Sequence, residues 1–228
     1  MTFIHKENVS KRWWVTGIPI IDILYMPYTL MAIGYIVIGG LLNSQPDYGV
    51  LIALMIDWFF GVGILSHAID EMKGHPLNTG FSDKQLKSLA LFGFLGTLVI
   101  ANYIAYYKSV IFLPIYLFLL IVVALYNAEL FNGRFHRDMF FTFAFALLPM
   151  LIAYYMMNLT LPTIADLFFI AGISATSSIE TVVNHFVKFN SKDFHTAYDR
   201  NFAYLQRSVW ATVWIVYFIA MYFILKQF

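Results

Sequence analysis

The stretch Val50–Gly80, VLIALMIDWFFGVGILSHAIDEMKGHPLNTG, decides the fold. Residues 50–69 are almost all apolar, and about 20 such residues are what an α-helix needs to cross the hydrocarbon core of a bilayer. The run then ends on ionisable groups and passes into a loop carrying Lys73, His75, Lys84 and Lys87. His67, Asp70 and Glu71 stand at i, i+3 and i+4, so a helix through them presents all three on one face. Ionisable side chains at the end of a membrane helix are costly to keep, which makes this face a candidate functional site. The plainer alternative is that these groups hydrogen-bond between helices or lie among lipid headgroups.

Composition agrees with that stretch. Hydrophobic residues make up 61% of the chain, charged residues only 12%, and the mean hydropathy is +0.72, so a water-soluble surface cannot be assembled from it. A length of 228 residues is expected to form one integral membrane domain, 1–228, without an added soluble module of ordinary size. The net charge of +1 is dispersed over short loops and gives no reason to expect nucleic acid as a partner. With no cysteine, thiol catalysis, cysteine-ligated metal and disulfides are all excluded. Lys6, Lys11 and Arg12 precede an apolar run that is too long for a signal-peptide core and lacks a small-residue cleavage site. It reads instead as a retained signal anchor and first span.

Seven segments qualify as spans: 15–42, 50–69, 88–107, 110–131, 138–157, 163–187 and 208–226. The expected fold is therefore an all-α polytopic transmembrane bundle. With the N-terminus cytoplasmic, Lys6, Lys11, Arg12, Lys73, Lys84, Lys87, Arg134, Arg137, Lys188, Lys192, Arg200 and Arg207 fall inside, and only Lys108 and Lys226 fall outside. Basic residues favour the inner side, so the N-terminus is expected inside and the C-terminus outside, in a prokaryotic cell membrane. Three inner helix ends then each bring a carboxylate: Asp70 and Glu71, Glu129, and Glu180. Glu180, Asn184 and Lys188 repeat at i, i+4 and i+8, and Ser177 extends the stripe. Trp13, Trp14, Tyr106 and Tyr107 fit an aromatic belt, whereas Trp58 reads as deeper. Asp22 and Asp57 lie apart from the inner cluster and read as hydrogen-bonding glue between helices. Asn158-Leu159-Thr160 matches a glycosylation triplet, a pattern that also arises often by chance.

The second span and its loop resemble the UbiA superfamily of intramembrane prenyltransferases. That family carries N-D-x-x-D-x-x-x-D at the inner end of its second helix and an R-P-L-x-S-G-like loop after it. In register here are Ser66, His67, Asp70 and Gly74, followed by His75, Pro76, Leu77, Thr79 and Gly80. The middle aspartate and the P-L-x-T-G loop match. The Asn-Asp pair reads Ser66-His67, the last aspartate is Gly74, and the loop arginine is His75. Tyr126, Arg134 and the helix Phe141–Tyr155 are similar to the family's fourth and fifth helices. Glu180 and Asn184 stand where its second acidic motif would be, without the usual run of aspartates, and the family fold has more helices than the seven spans here.

The resemblance implies a divergent, shortened UbiA-like bundle that transfers an isoprenoid chain from a prenyl diphosphate to a lipophilic acceptor. It implies Mg²⁺ as the cofactor, with Asp70, Glu71 and Glu180 as catalytic carboxylates. Asp70 with Glu71 would hold one ion and Glu180 with Asn184 a second. Lys84, Arg134, Arg137 and Lys188 would meet the diphosphate, and 23 Phe and 15 Tyr can line a water-free tunnel for an allylic cation. Further candidates are His67, His75, Tyr126, Glu129 and His185. Two other classes stay open. One is a non-catalytic lipid- or isoprenoid-binding carrier. The other is a transition-metal enzyme using His67, Asp70, Glu71, Glu129, Glu180 and His185, since imidazole suits Zn²⁺, Fe²⁺ or Mn²⁺ better than Mg²⁺.

Overall fold

The computed structural model describes residues 18–73, 79–128, 131, 134–135, 137–190 and 195–226, with the side chains of 138, 179–190 and 195–209 left outside the description. Over these residues the chain is all-helical, in eight helices numbered here in chain order. They are α1 (Pro19–Ile23), α2 (Met26–Leu41), α3 (Tyr48–Glu71), α4 (Asp83–Tyr107) and α5 (Phe112–Asn127). There follow α6, which runs through Asp138–Thr142, Phe143–Leu147 and Leu148–Asn158, then α7 (Ile164–Asn190) and α8 (His195–Lys226). Among the described residues three helices are long and apolar enough to cross a membrane: α3, α4, and α6 over Met139–Asn158. Helices α2 and α5 are shorter and apolar, and apolar stretches also cover Ile164–Ser178 of α7 and Trp210–Lys226 of α8.

The expected first span, 15–42, is not one helix. Pro27 has no N–H to offer the Ile23 carbonyl and its ring crowds that turn, so α1 stops and α2 starts afresh. Tyr25 takes up the break in the left-handed region, at φ 40° and ψ 58°. The hydroxyl of Thr29 donates to the Leu24 carbonyl exposed by the break. Helix α4 begins five residues before the expected 88, because Ser82 and Gln85 form a reciprocal cap that extends it into the loop.

Two helices widen locally. In α3 the residues Phe59–Ser66 form a π-helical segment containing Gly61 and Gly63. In α6 the π-helical Phe143–Leu147 leads into Pro149, whose missing N–H leaves the Phe145 carbonyl without its usual partner.

Helix α2 is the axis of the bundle. Twelve of its 16 residues are buried, and α3, α6 and α8 pack around it. The α2–α6 crossing is close enough that a methyl group at Gly39 would run into the Met150 backbone. The α3–α4 crossing is similarly tight, and a Cβ at Gly93 would sit 2.7 Å from the Leu65 nitrogen. Helix α4 lies against α3, and α5 against α4. Their outward faces, like that of α8, are apolar and exposed, as Leu91, Phe92, Leu95, Val99, Trp214 and Phe218 illustrate.

A polar clamp closes one end of the bundle. Lys108, at the α4–α5 turn, donates to Asp47 Oδ2 at 3.0 Å and to the Met157 carbonyl, tying the start of α3 to the end of α6. Asp47 also caps α3 through the Val50 N–H. Asn158 Nδ2 donates to Asn43 Oδ1 at 3.0 Å, so the amide of the glycosylation triplet is engaged inside this clamp.

Candidate functional site

At the opposite end, α3 delivers the ionisable face. Glu71 is fully buried, and its Oε1 accepts two hydrogen bonds from Thr79: the backbone N–H at 2.8 Å and the hydroxyl at 3.0 Å. Thr79, just before α4, is thus tied to the end of α3. Gly80 comes next at φ +79°, a conformation that favours glycine, and Ser82 then caps α4. Ile23 and Leu86 form a small apolar cluster beside this loop with Leu24, Tyr25, Met72 and Phe81. The end of α3 and the start of α4 are therefore held together by both a polar and an apolar contact.

His67, Asp70 and Glu71 share a helix face but not a surrounding. His67 is buried; its Nδ1–H donates to the Gly63 carbonyl at 3.3 Å, and its ring meets Tyr25 edge-on at 5.7 Å. That carbonyl lies in the π-helical segment, where the ordinary i→i+4 ladder is disturbed, and the imidazole takes it up. Glu71 points inward to Thr79, while Asp70 is only half-buried. Asp70 is the more exposed of the two carboxylates.

An aromatic band crosses the same end. Tyr25 and Tyr28 lie 4.6 Å apart, Tyr28 meets Phe141 at 6.0 Å, and Phe141 stacks on Phe145 at 4.9 Å. Tyr126 packs against Phe141 at 5.7 Å and Phe145 at 5.3 Å. The band therefore runs from His67 through α2 and α6 to Tyr126 of α5. Behind it, Thr142 and Ser178 share a 2.7 Å hydrogen bond that joins α6 to α7, and the buried Ser177 hydroxyl donates to the Ser174 carbonyl.

Of the basic residues expected near a diphosphate, Lys84, Arg134 and Arg137 are all exposed. The side chains of Glu180, Asn184, His185 and Lys188, and the whole of His75 and Glu129, lie outside the described residues. Among the described residues no three His, Asp or Glu side chains come together as a metal-binding group. The described part of the site is thus one accessible carboxylate, one buried carboxylate committed to its loop, an aromatic wall and solvent-facing cations.

Two features escaped the sequence reading. Thr79 was legible only as a motif position, although it is the partner of Glu71. Asp57, read as interhelical glue, is 3% exposed, yet its Oδ1 has no hydrogen-bond partner among the described residues. No family model, curated protein or solved structure matches this chain.

Proposed function

We propose that this chain is a membrane-embedded prenyltransferase of divergent, shortened UbiA type, moving an isoprenoid chain from a prenyl diphosphate to a lipophilic acceptor. The observation that carries the reading is the aromatic band from Tyr25 to Tyr126 lying at the same end of the bundle as Asp70. Membrane embedding is supported by three long apolar helices and by the exposed leucines, phenylalanines and tryptophan on the outer faces of α4 and α8. The end that carries Asp70 is taken as cytoplasmic, because twelve of the 14 Lys and Arg belong to that side and two to the other.

The donor chemistry fits Mg²⁺. That ion keeps several waters and uses one or two carboxylates plus substrate phosphates, which a single half-buried Asp70 can serve. When bound, Mg²⁺ supplies positive charge against the diphosphate that must leave. Glu180 and Asn184 are the partners proposed from α7. Lys84, Arg134 and Arg137 bind phosphate oxygens from the solvent side, with Lys188 of α7 as a further proposed partner. Tyr28, Phe141, Phe145 and Tyr126 offer ring faces to a developing allylic cation and keep water from it. Glu71 acts here by holding the loop through Thr79 and so orients the helix end that bears Asp70.

A second reading, a non-catalytic isoprenoid-binding bundle, draws on the same Glu71–Thr79 pair, since a carboxylate spent on its own loop is a structural one. Incubating purified protein with labelled prenyl diphosphate and membrane lipid extract separates the two. Transfer of label to a new lipid product with Mg²⁺, and none with chelator, supports the transferase. Saturable binding of the prenyl diphosphate without any product supports the carrier.

A further inference from the structure

A small cavity lies away from that end, where α3, α4, α5 and α6 meet. Its volume is about 30 Å³, and its polar lining consists of Asp57, Trp58, Thr97 and Tyr116. The remaining walls are apolar, as Val62, Leu65, Leu119 and Phe145 show. Asp57 stands nine residues into α3, roughly 14 Å along a helix whose span is about 36 Å, so it lies well inside the bundle rather than at either end.

The hydrogen-bond inventory around the cavity is incomplete. The Thr97 hydroxyl donates to the Phe94 carbonyl at 2.9 Å, so the 2.7 Å contact between Thr97 and Tyr116 is one in which the phenol donates. The Tyr116 oxygen keeps lone pairs that want a donor. Asp57 Oδ1 is buried without a partner, and so is the Trp58 Nε1–H. An acid, a donor and an acceptor with unmet capacity thus line one cavity. About 10–15 Å³ suffices for a water molecule, so this space takes one or two waters. Metal ions are poorly served, because the oxygens are few and an indole N–H donor lines the same space.

We propose that Asp57 is a hydrated proton-binding site in the middle of the bundle, carrying an exchangeable proton and sharing a water with Trp58 and Tyr116. Among the described residues no Lys, Arg or His lines the cavity: α3 contributes Asp57, Trp58, Gly61, Val62 and Leu65, α4 contributes Thr97, and α6 contributes Ala144 and Phe145. From α5, Tyr116 is the only titratable neighbour. An ionised carboxylate with no counter-charge in such walls is far costlier than the neutral acid, which donates its proton to the shared water. The cavity shares Phe145 with the aromatic band, but Asp57 has no part in the proposed prenyl transfer, so the protonation of Asp57 is tested separately from it.

Infrared spectroscopy of the purified protein in lipid at neutral pH tests this. The expected result is a carboxylic-acid C=O band that is lost in Asp57→Asn and shifts when the sample is equilibrated in D₂O. Should Asp57→Asn fail to fold, protein grown with ¹³C-carboxyl aspartate keeps the test alive. The band then moves on labelling in the native chain but not in Asp57→Glu. No acid band assignable to Asp57 would overturn the proposal, since the group would then be ionised. A band that stays fixed in D₂O would overturn it equally, since its proton would not exchange.

Discussion

Thr79 and Glu71 show how much one residue can decide at the end that bears Asp70. A fully buried carboxylate holds two hydrogen bonds from a single loop residue, and Thr79→Val removes one of them while keeping shape. Leaving part of a buried acceptor unsatisfied costs about 1–3 kcal/mol, so thermal unfolding in detergent should occur at a lower temperature for the variant. An unchanged midpoint would mean that the loop is held by other contacts. At the opposite end, partial burial raises the Asp47 carboxyl, but hydrogen bonds from Val50 and Lys108, the Lys108 charge and the Gly49 N–H outweigh it. The group therefore sits below its ordinary 3.8. A folded-state value depressed in this way contributes stability above 3.8 that is lost as pH falls through the lower value. The gap in melting temperature between the native chain and Lys108→Met should accordingly shrink on acidification, and a widening gap would contradict the pairing. The effect is expected to be small, because the pair is partly exposed and such pairs are worth about 1 kcal/mol or less. His67, Asp70 and Glu71 were readable as one face from spacing alone. Their different surroundings were not, because these depend on Thr79 and Tyr25 arriving from outside the helix and on the Gly63 carbonyl in its π-helical segment. Asp57 is the same case, since whether a carboxyl finds a partner is settled by other helices.

Elements were the most legible scale. Long apolar runs located α3 and α4 because hydropathy reports a helix that is apolar on every side. The break between α1 and α2 was also written in the sequence, at Pro27, but the apolar run around it concealed the signal. Ser82 and Gln85 spelled the true start of α4 in the same way. The π-helical segments were not legible, since a shift to i→i+5 bonding depends on how neighbouring helices press on the turn. Two glycines give a test at this scale. Gly39 meets the Met150 backbone, which cannot yield as a side chain can, so Gly39→Ala should destabilise by about 1–3 kcal/mol through overpacking. Gly172 in α7 has open space around it, and Gly172→Ala should leave stability unchanged or raise it by up to about 1 kcal/mol. Equal melting temperatures for the two variants would refute the close α2–α6 crossing.

The whole molecule places its aromatic wall and Asp70 at one end, its Lys108 clamp at the other, and an unpaired acid between them. The proposed orientation predicts that a reporter fused after Gln227 reads as external; a cytoplasmic signal would mean that the number of crossings is even. In the proposed function Asp70 is the carboxylate that meets the metal, because the buried Glu71 is committed to Thr79. The most direct measurement is therefore Mg²⁺-dependent transfer of label from a prenyl diphosphate to lipid, compared between the native protein and Asp70→Ala. Removing a metal-holding carboxylate should cost about 3 kcal/mol or more of transition-state stabilisation, a fall of roughly a hundredfold or greater. The account predicts that loss in a variant that still purifies as a folded bundle, and transfer within a few-fold of the native rate would contradict it.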